Sequence, residues 1–284
     1  MLFWIVLAVS VLTAGGVCLG VGAFCSLSWL WMIPAVFLGA FLLQALVIFV
    51  VLWLIARAVD PEVPQQEDSK FHRFIINMMA DTAMPLFSVR LHTRGLEKTP
   101  KSGRFMLVCN HLNNMDPVTL VKCFSKSQLA FISKRENASL LIVGKVMHKI
   151  LCQPINREND REALKTIINC INILKEDKAS IAVFPEGYVS TDCKLHPFRN
   201  GVFKIALKTK VPIVVCTLQN TQYVFRNAAH LRPTHVHMHL LDVIMPEEYA
   251  GMTTTELGSR IHRMMAEDLG PENVLQEEEN ADNP

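Results

Sequence analysis

Read for the order of apolar and polar positions, the chain changes character once. Residues 1–56 contain no Asp, Glu, Lys or Arg, and the first charge is Arg57. Within them, 1–25 and 31–55 are apolar stretches, each longer than the roughly 20 residues of helix that cross a hydrocarbon core. Ser26, Ser28 and Pro34 interrupt the pattern, and Trp29 and Trp31 suit an interface. The pattern predicts an N-terminal transmembrane helical hairpin over 1–56 with a very short turn. A secretory signal peptide fits less well, because no basic region precedes residues 1–25 and a second apolar stretch comes directly after them. A hairpin returns the chain to its starting side. Arg57, Lys70 and Arg73 then place the rest of the chain in the cytoplasm by the positive-inside rule, against the interleaved Asp60, Glu62, Glu67 and Asp68. Composition leaves two depths open, spanning the bilayer or lying within one leaflet. Gly16 and Gly20 make a small-x-x-x-small pair that would let two helices approach closely.

Beyond the hairpin the pattern is that of a folded domain. Residues 60–69 (DPEVPQQEDS) read as a polar linker. Phe71, Phe74, Ile75, Met78 and Met79 recur at helical spacing, which makes 57–86 a linker and an amphipathic helix facing either membrane or core. From Phe87, strand-like and helix-like stretches alternate. Short apolar runs at 105–110, 129–133, 179–184, 211–218 and 236–244 predict strands. Helical patterns lie near 117–124, 136–150, 160–175, 199–209 and 253–269. Such alternation predicts an α/β domain over 87–270, a central mixed sheet flanked by helices.

Composition sharpens this division. All 28 Lys and Arg and all 26 Asp and Glu fall after residue 56. That excludes a fully soluble protein, a multi-span transporter and a disordered chain. Residues 271–284 carry five acids and no base, which predicts an acidic disordered tail. The body between holds 28 bases against 21 acids. A basic body behind an anchor suits anionic headgroups or phosphorylated substrates, and equally a plain solvated surface. The eight cysteines include no C-x-x-C pair and lie mostly in apolar stretches, the pattern of reduced thiols in a cytosolic core.

No glycine-rich nucleotide loop, nucleophile elbow or zinc-spaced cysteine set occurs. The polar residues that stand out lie just past apolar runs. NHLNNMDP (110–117) comes after one strand and opens a helix, with Asp116 as its cap and Pro117 in its first turn. A turn there can bring the Asp116 carboxylate to His111. The carboxylate would hold one ring proton and leave the other nitrogen as a base. A plain helix cap beside a loop histidine remains the alternative for these two residues taken alone. FPEGYVS (184–190) puts Glu186 and Gly187 at the carboxyl end of another strand, the ligand edge of an α/β sheet or a solvated turn. His235, His237 and His239 alternate along a late strand, so they share a face; we read them as a polar face and expect no metal.

Taken together, these clusters resemble the motifs of the glycerolipid acyltransferase family, in its lysophosphatidate acyltransferase branch. Asn110, His111 and Asp116 match N-H-x-x-x-x-D. Lys134 in FISKRE and Arg157 in QPINRE match the second region. Residues 184–190 match F-P-E-G-T-R-S, and Val211 to Val215 match V-P-I-V-P with Val215 for the last Pro. The agreement covers about residues 88–245. The third motif's Thr-Arg is Tyr188-Val189 here, so the arginine usually credited with gripping the acceptor phosphate is missing.

The resemblance implies transfer of an acyl chain from acyl-CoA or acyl carrier protein, as co-substrate, to the free hydroxyl of 1-acylglycerol-3-phosphate. No other cofactor and no nucleic acid are implied. His111 would be the general base and Asp116 its orienting partner. Glu186 and Gly187 would position the acceptor's glycerol. Lys134 and Arg157 would bind its phosphate, with Lys194 or Arg199 as further sources of charge. The partners would be lysophosphatidate, the acyl donor and a lipid bilayer, at the cell membrane or another cytosol-facing membrane. Two alternatives stay open: a different lyso-acceptor, or a catalytically silent lipid-binding membrane protein.

Overall fold

The computed structural model describes residues 1–25, 29–157 and 159–275. Two long helices open the chain, α1 (Leu2–Gly20) and α2 (Met32–Arg57), packed against each other. Both are long and apolar enough to cross a membrane. The expected break at Ser26 and Ser28 lies outside the described residues. The seam of α1 is Val6, Ser10, Ala14 and Cys18, spaced four apart and buried. Gln44 of α2 donates to Ser10 Oγ at 2.9 Å across it. A side chain added at Gly16 or Gly20 would meet nothing, so these glycines do not set the helix approach.

A seven-stranded sheet forms the centre of the remaining chain. Its strands are β1 (Val89–Arg94), β2 (Met106–Cys109), β3 (Leu129–Lys134), β4 (Gln153–Ile155), β5 (Ser180–Val183), β6 (Ile213–Gln219) and β7 (Thr234–Ile244). The order is β1-β7-β6-β2-β5-β3-β4. Five neighbouring strands, β6 to β4, run parallel, and β7 turns antiparallel to β6 with β1 parallel beside it. The mixed sheet expected from the alternation is thus present. Residues of β2 alternate between two cores. Met106 and Val108 pack with helices α6 (Asp160–Lys175), α7 (Lys204–Thr209) and α9 (Thr254–Leu269). Leu107 and Cys109 pack with α3 (Lys70–Leu86) and α4 (Met115–Cys123). Asn159 caps α6, and Thr253 with Glu256 forms a capping box on α9.

Four observations refine the boundaries read from the sequence. The segment that reads as a linker is bound to the domain: Lys149, at the end of α5 (Val143–Lys149), donates to Gln65, and the Ser69 N–H donates to the Lys149 carbonyl. The next helix is likewise integral. Arg73 forms an ion pair with Asp68 at 2.6 Å, both nearly buried, and donates to the carbonyls of Leu129 and Ile150. Ile75, Ala80 and Met84 face inward while Phe71 and Phe74 stay exposed. The predicted helix at 136–150 splits into a 3-10 turn and α5, and Gly144 lets the two pack closely, since a Cβ there would clash with the Ala138 carbonyl. Finally, residues 271–275 are ordered: Val274 forms a parallel bridge with Leu195. The acidic residues 277–282 lie outside the described residues.

Candidate active site

The carboxyl ends of the parallel strands gather the motif loops on one edge of the sheet, where an α/β fold places its ligands. Asn110 leaves β2 and is held by β6: its side chain accepts from the Leu218 N–H at 2.8 Å and donates to the Leu218 carbonyl at 2.9 Å. That fixes where the next residue, His111, begins. His111 Nδ1 lies 2.8 Å from Asp116 Oδ2. The same oxygen accepts the N–H groups of Leu112 and Asn113 at 2.6 and 2.7 Å. A carboxylate so placed only accepts, so Nδ1 carries the ring proton and Nε2 presents a lone pair. Asp116 is fully buried and its Oδ1 has no hydrogen-bond partner. Its position corrects the sequence reading: Asn114 is the helix cap, and Asp116 turns back from the first turn of α4 onto the loop.

Phe184 stacks on the His111 ring at 4.1 Å between centroids. The two motif loops are also stitched together. The His111 N–H donates to Glu186 Oε1 at 2.7 Å, the His196 N–H to Glu186 Oε2 at 3.0 Å, and the Ser190 N–H to the His111 carbonyl at 2.8 Å. Glu186 is therefore a buried clamp, with both oxygens spent on backbone donors rather than offered to a ligand. Burial pushes its carboxyl up from 4.5 to about 7, against the opposing pull of those two N–H groups. Gly187 has φ +85°, a conformation that favours glycine, and a Cβ there would press on the Arg199 side chain.

Beside His111 lies a cavity of ≈ 950 Å³. Its wall is largely apolar, with Ile76, Val118, Val121, Phe131, Ile155 and Leu164 among the lining residues. Lys134, Arg157 and Arg199 line it as well. Arg157 is half-buried, and burial together with the charge of Arg199 draws its pKa down. No carboxylate lies within ion-pair distance of Arg157 or Arg199 among the described residues. Lys134 is mostly exposed and pairs with Glu136 at 3.5 Å. Cys152 also lines the cavity, but burial pushes its thiol up to about 11, so it is no thiolate nucleophile.

A family model described as Acyltransferase matches residues 90–219, the span that holds all four motifs. This segment is similar to the acyltransferase family. A chloroplast 1-acyl-sn-glycerol-3-phosphate acyltransferase of Brassica napus is 34% identical over 153 residues, which are 54% of this chain and 43% of that protein. The protein of that name from Salmonella typhimurium is 26% identical over 188 residues, 65% of this chain and 75% of its own length. The chain thus spans less than half the length of the plant relative. The crystal structure of a 1-acyl-sn-glycerophosphate acyltransferase, PlsC, from Thermotoga maritima shares the fold with a TM-score of 0.58. It is 22% identical, over 69% of this chain and 78% of that one.

Within residues 90–219, His111, Lys134, Arg157 and Gly187 line one cavity, whereas Asp116 and Glu186 stand behind its wall. Arg199 is the residue that sequence could name but not place. It ends a long loop, and the fold returns it across Gly187, where its backbone N–H donates to the Pro185 carbonyl at 2.8 Å. Val189, at the position of the missing motif arginine, lines the same cavity without charge. The histidines of β7 lie elsewhere: His235 and His237 stack with His92 of β1 at 5.1 and 4.9 Å, and His239 pairs with Asp268. Among the described residues no group of three or more His, Cys, Asp and Glu is arranged to hold a metal.

Proposed function

We propose that this chain acylates the free hydroxyl of 1-acylglycerol-3-phosphate, giving phosphatidate, with acyl-CoA or acyl carrier protein as donor. The observation that carries the reading is His111, held by Asp116 at Nδ1, lining an apolar cavity with two arginines that have no carboxylate within ion-pair distance among the described residues. The acceptor hydroxyl gives its proton to His111 Nε2 as its oxygen attacks the thioester carbonyl. Asp116 stabilises the imidazolium. The carbon–sulfur bond then breaks, and the leaving thiolate takes the proton back. No enzyme nucleophile is required. The apolar wall suits acyl chains, and its volume falls within the range of ligand pockets. Arg157 and Arg199 suit a phosphate, the latter in place of the motif arginine. The hairpin and the amphiphilic substrates support a membrane location with the domain on the cytoplasmic side.

A second reading keeps the chemistry and changes the acceptor, and Tyr188-Val189 favours it. Acyl transfer by the purified full-length chain, measured over a panel of lyso-acceptors, separates the two. Lysophosphatidate should be the preferred acceptor. Transfer only to acceptors without a phosphomonoester would replace the first reading with the second. No transfer to any acceptor would support a silent lipid-binding protein.

A further inference from the structure

The loop from Phe184 to Arg199 carries much of the site, yet it has no helix or strand of its own. Loops of that length without secondary structure are uncommon in compact domains and need something else to order them. Here the chain's last described residues supply it. After α9 the backbone turns at Gly270 (φ +84°) and makes a 3-10 turn over Pro271–Asn273. The Asn273 side chain donates to the Leu269 carbonyl at 2.8 Å and ties that turn to α9. The Leu195 N–H then donates to the Asn273 carbonyl at 2.8 Å, and the Leu275 N–H donates to the Leu195 carbonyl at 3.0 Å. Leu195 itself is buried in the core beneath α9. Its neighbour His196 gives its N–H to Glu186, and Glu186 holds the His111 N–H.

We infer that residues 270–275 are a positioning strap for the proposed active site. An unbroken line of backbone and carboxylate contacts runs from the strap through Leu195, His196 and Glu186 to His111. The strap does not touch the cavity, so it acts on how the base is held and not on how substrate is bound. This rests on the proposed acyl transfer for its kinetic consequence, but not for its structural one.

The test uses the full-length chain and two substitutions. Leu275→Pro removes the N–H given to Leu195, and Val274 is already in the extended conformation that a following proline favours. Leu275→Ala keeps that N–H. Hydrogen exchange at the His196 and His111 amides should quicken about tenfold or more in Leu275→Pro, while the amides of β2 and β5 stay protected. In the same variant kcat should fall about tenfold with both KM values nearly unchanged, and Leu275→Ala should behave as the parent. Unchanged exchange at both histidines in Leu275→Pro overturns the strap, as does a loss of protection spread evenly over β2 and β5. A parent chain that transfers no acyl group removes the proposed reaction, and the exchange measurement still decides the strap.

Discussion

Around His111 nearly every polar group is engaged. Asp116 Oδ2 takes three hydrogen bonds, Glu186 takes two, and Phe184 covers one face of the imidazole. Arg157 and Arg199 line the same cavity close enough to feel each other's charge, and Glu136 offsets that of Arg157 only from beyond ion-pair distance. In the proposed reaction the two sides would do different work. A base must be held in one tautomer and one orientation before substrate arrives, so its neighbours are internal and buried. A cation that is to receive a phosphate must not already be neutralised, so its neighbours are few. Holding two like charges together costs stability, and a bound dianion would relieve that cost.

The largest expected effect is on the held side. His111→Ala should lower kcat by about 10²–10⁴, and Asp116→Asn should come close to it by disturbing the tautomer. Near-parental turnover in folded His111→Ala protein would end the general-base mechanism. On the open side the loss should appear in binding. Arg157→Ala and Arg199→Ala should each raise the acceptor KM by about 10–100-fold, the size of a charged hydrogen bond of about 1.5–3 kcal/mol. The KM for the acyl donor should move little. Lysine at either position should recover part of the loss, because it keeps the charge but not the fork. Steady-state kinetics with each substrate varied in turn would show this; an acceptor KM indifferent to both arginines would remove them from the phosphate site.

The smallest effect sharpens the comparison through pH. Glu186 has a folded pKa of about 7 against an ordinary 4.5. An acid whose pKa is raised by folding binds more protons in the folded state. Its contribution to stability is therefore greatest below about 4.5 and declines as pH climbs to about 7. Glu186→Gln should flatten that slope in urea unfolding monitored in detergent from about pH 5 to about pH 8. It should also lower activity at the upper end, since an amide cannot accept from two N–H groups with its two end atoms. A slope that survives the substitution belongs to another group.

Much of the domain was legible because its central strands are buried on both faces and read as continuous apolar runs. The motif residues then sit where those runs end. β1 was not legible as a strand: at the sheet edge, VRLHTR is largely exposed and mixes charge with apolar residues. β4 spans only Gln153–Ile155, too short for any period. Asp116 shows why a side chain's role outruns its position, since a helix cap and a carboxylate folded back on the loop share one sequence. Glu186 reads as a ligand group in sequence because nothing local says that its oxygens meet the amides of His111 and His196. Arg73 resembles a flanking surface charge, and only the fold reveals its partner Asp68 and the carbonyls of Leu129 and Ile150.

The stacking of Phe184 on His111 reaches beyond stability. A lone pair on an imidazole nitrogen points outward in the plane of the ring. Phe184 against one face and Asp116 at the opposite nitrogen both favour one orientation of that plane. A hydroxyl can hand over its proton only by arriving along one line, with its carbon skeleton turned to suit. A glycerol backbone offers hydroxyls on stereochemically distinct carbons, and few of its poses place a chosen one on that line. If His111 is the base of the proposed transfer, the ring pair would act as a gauge of handedness and of position, set by an aromatic side chain that takes no part in the proton's journey.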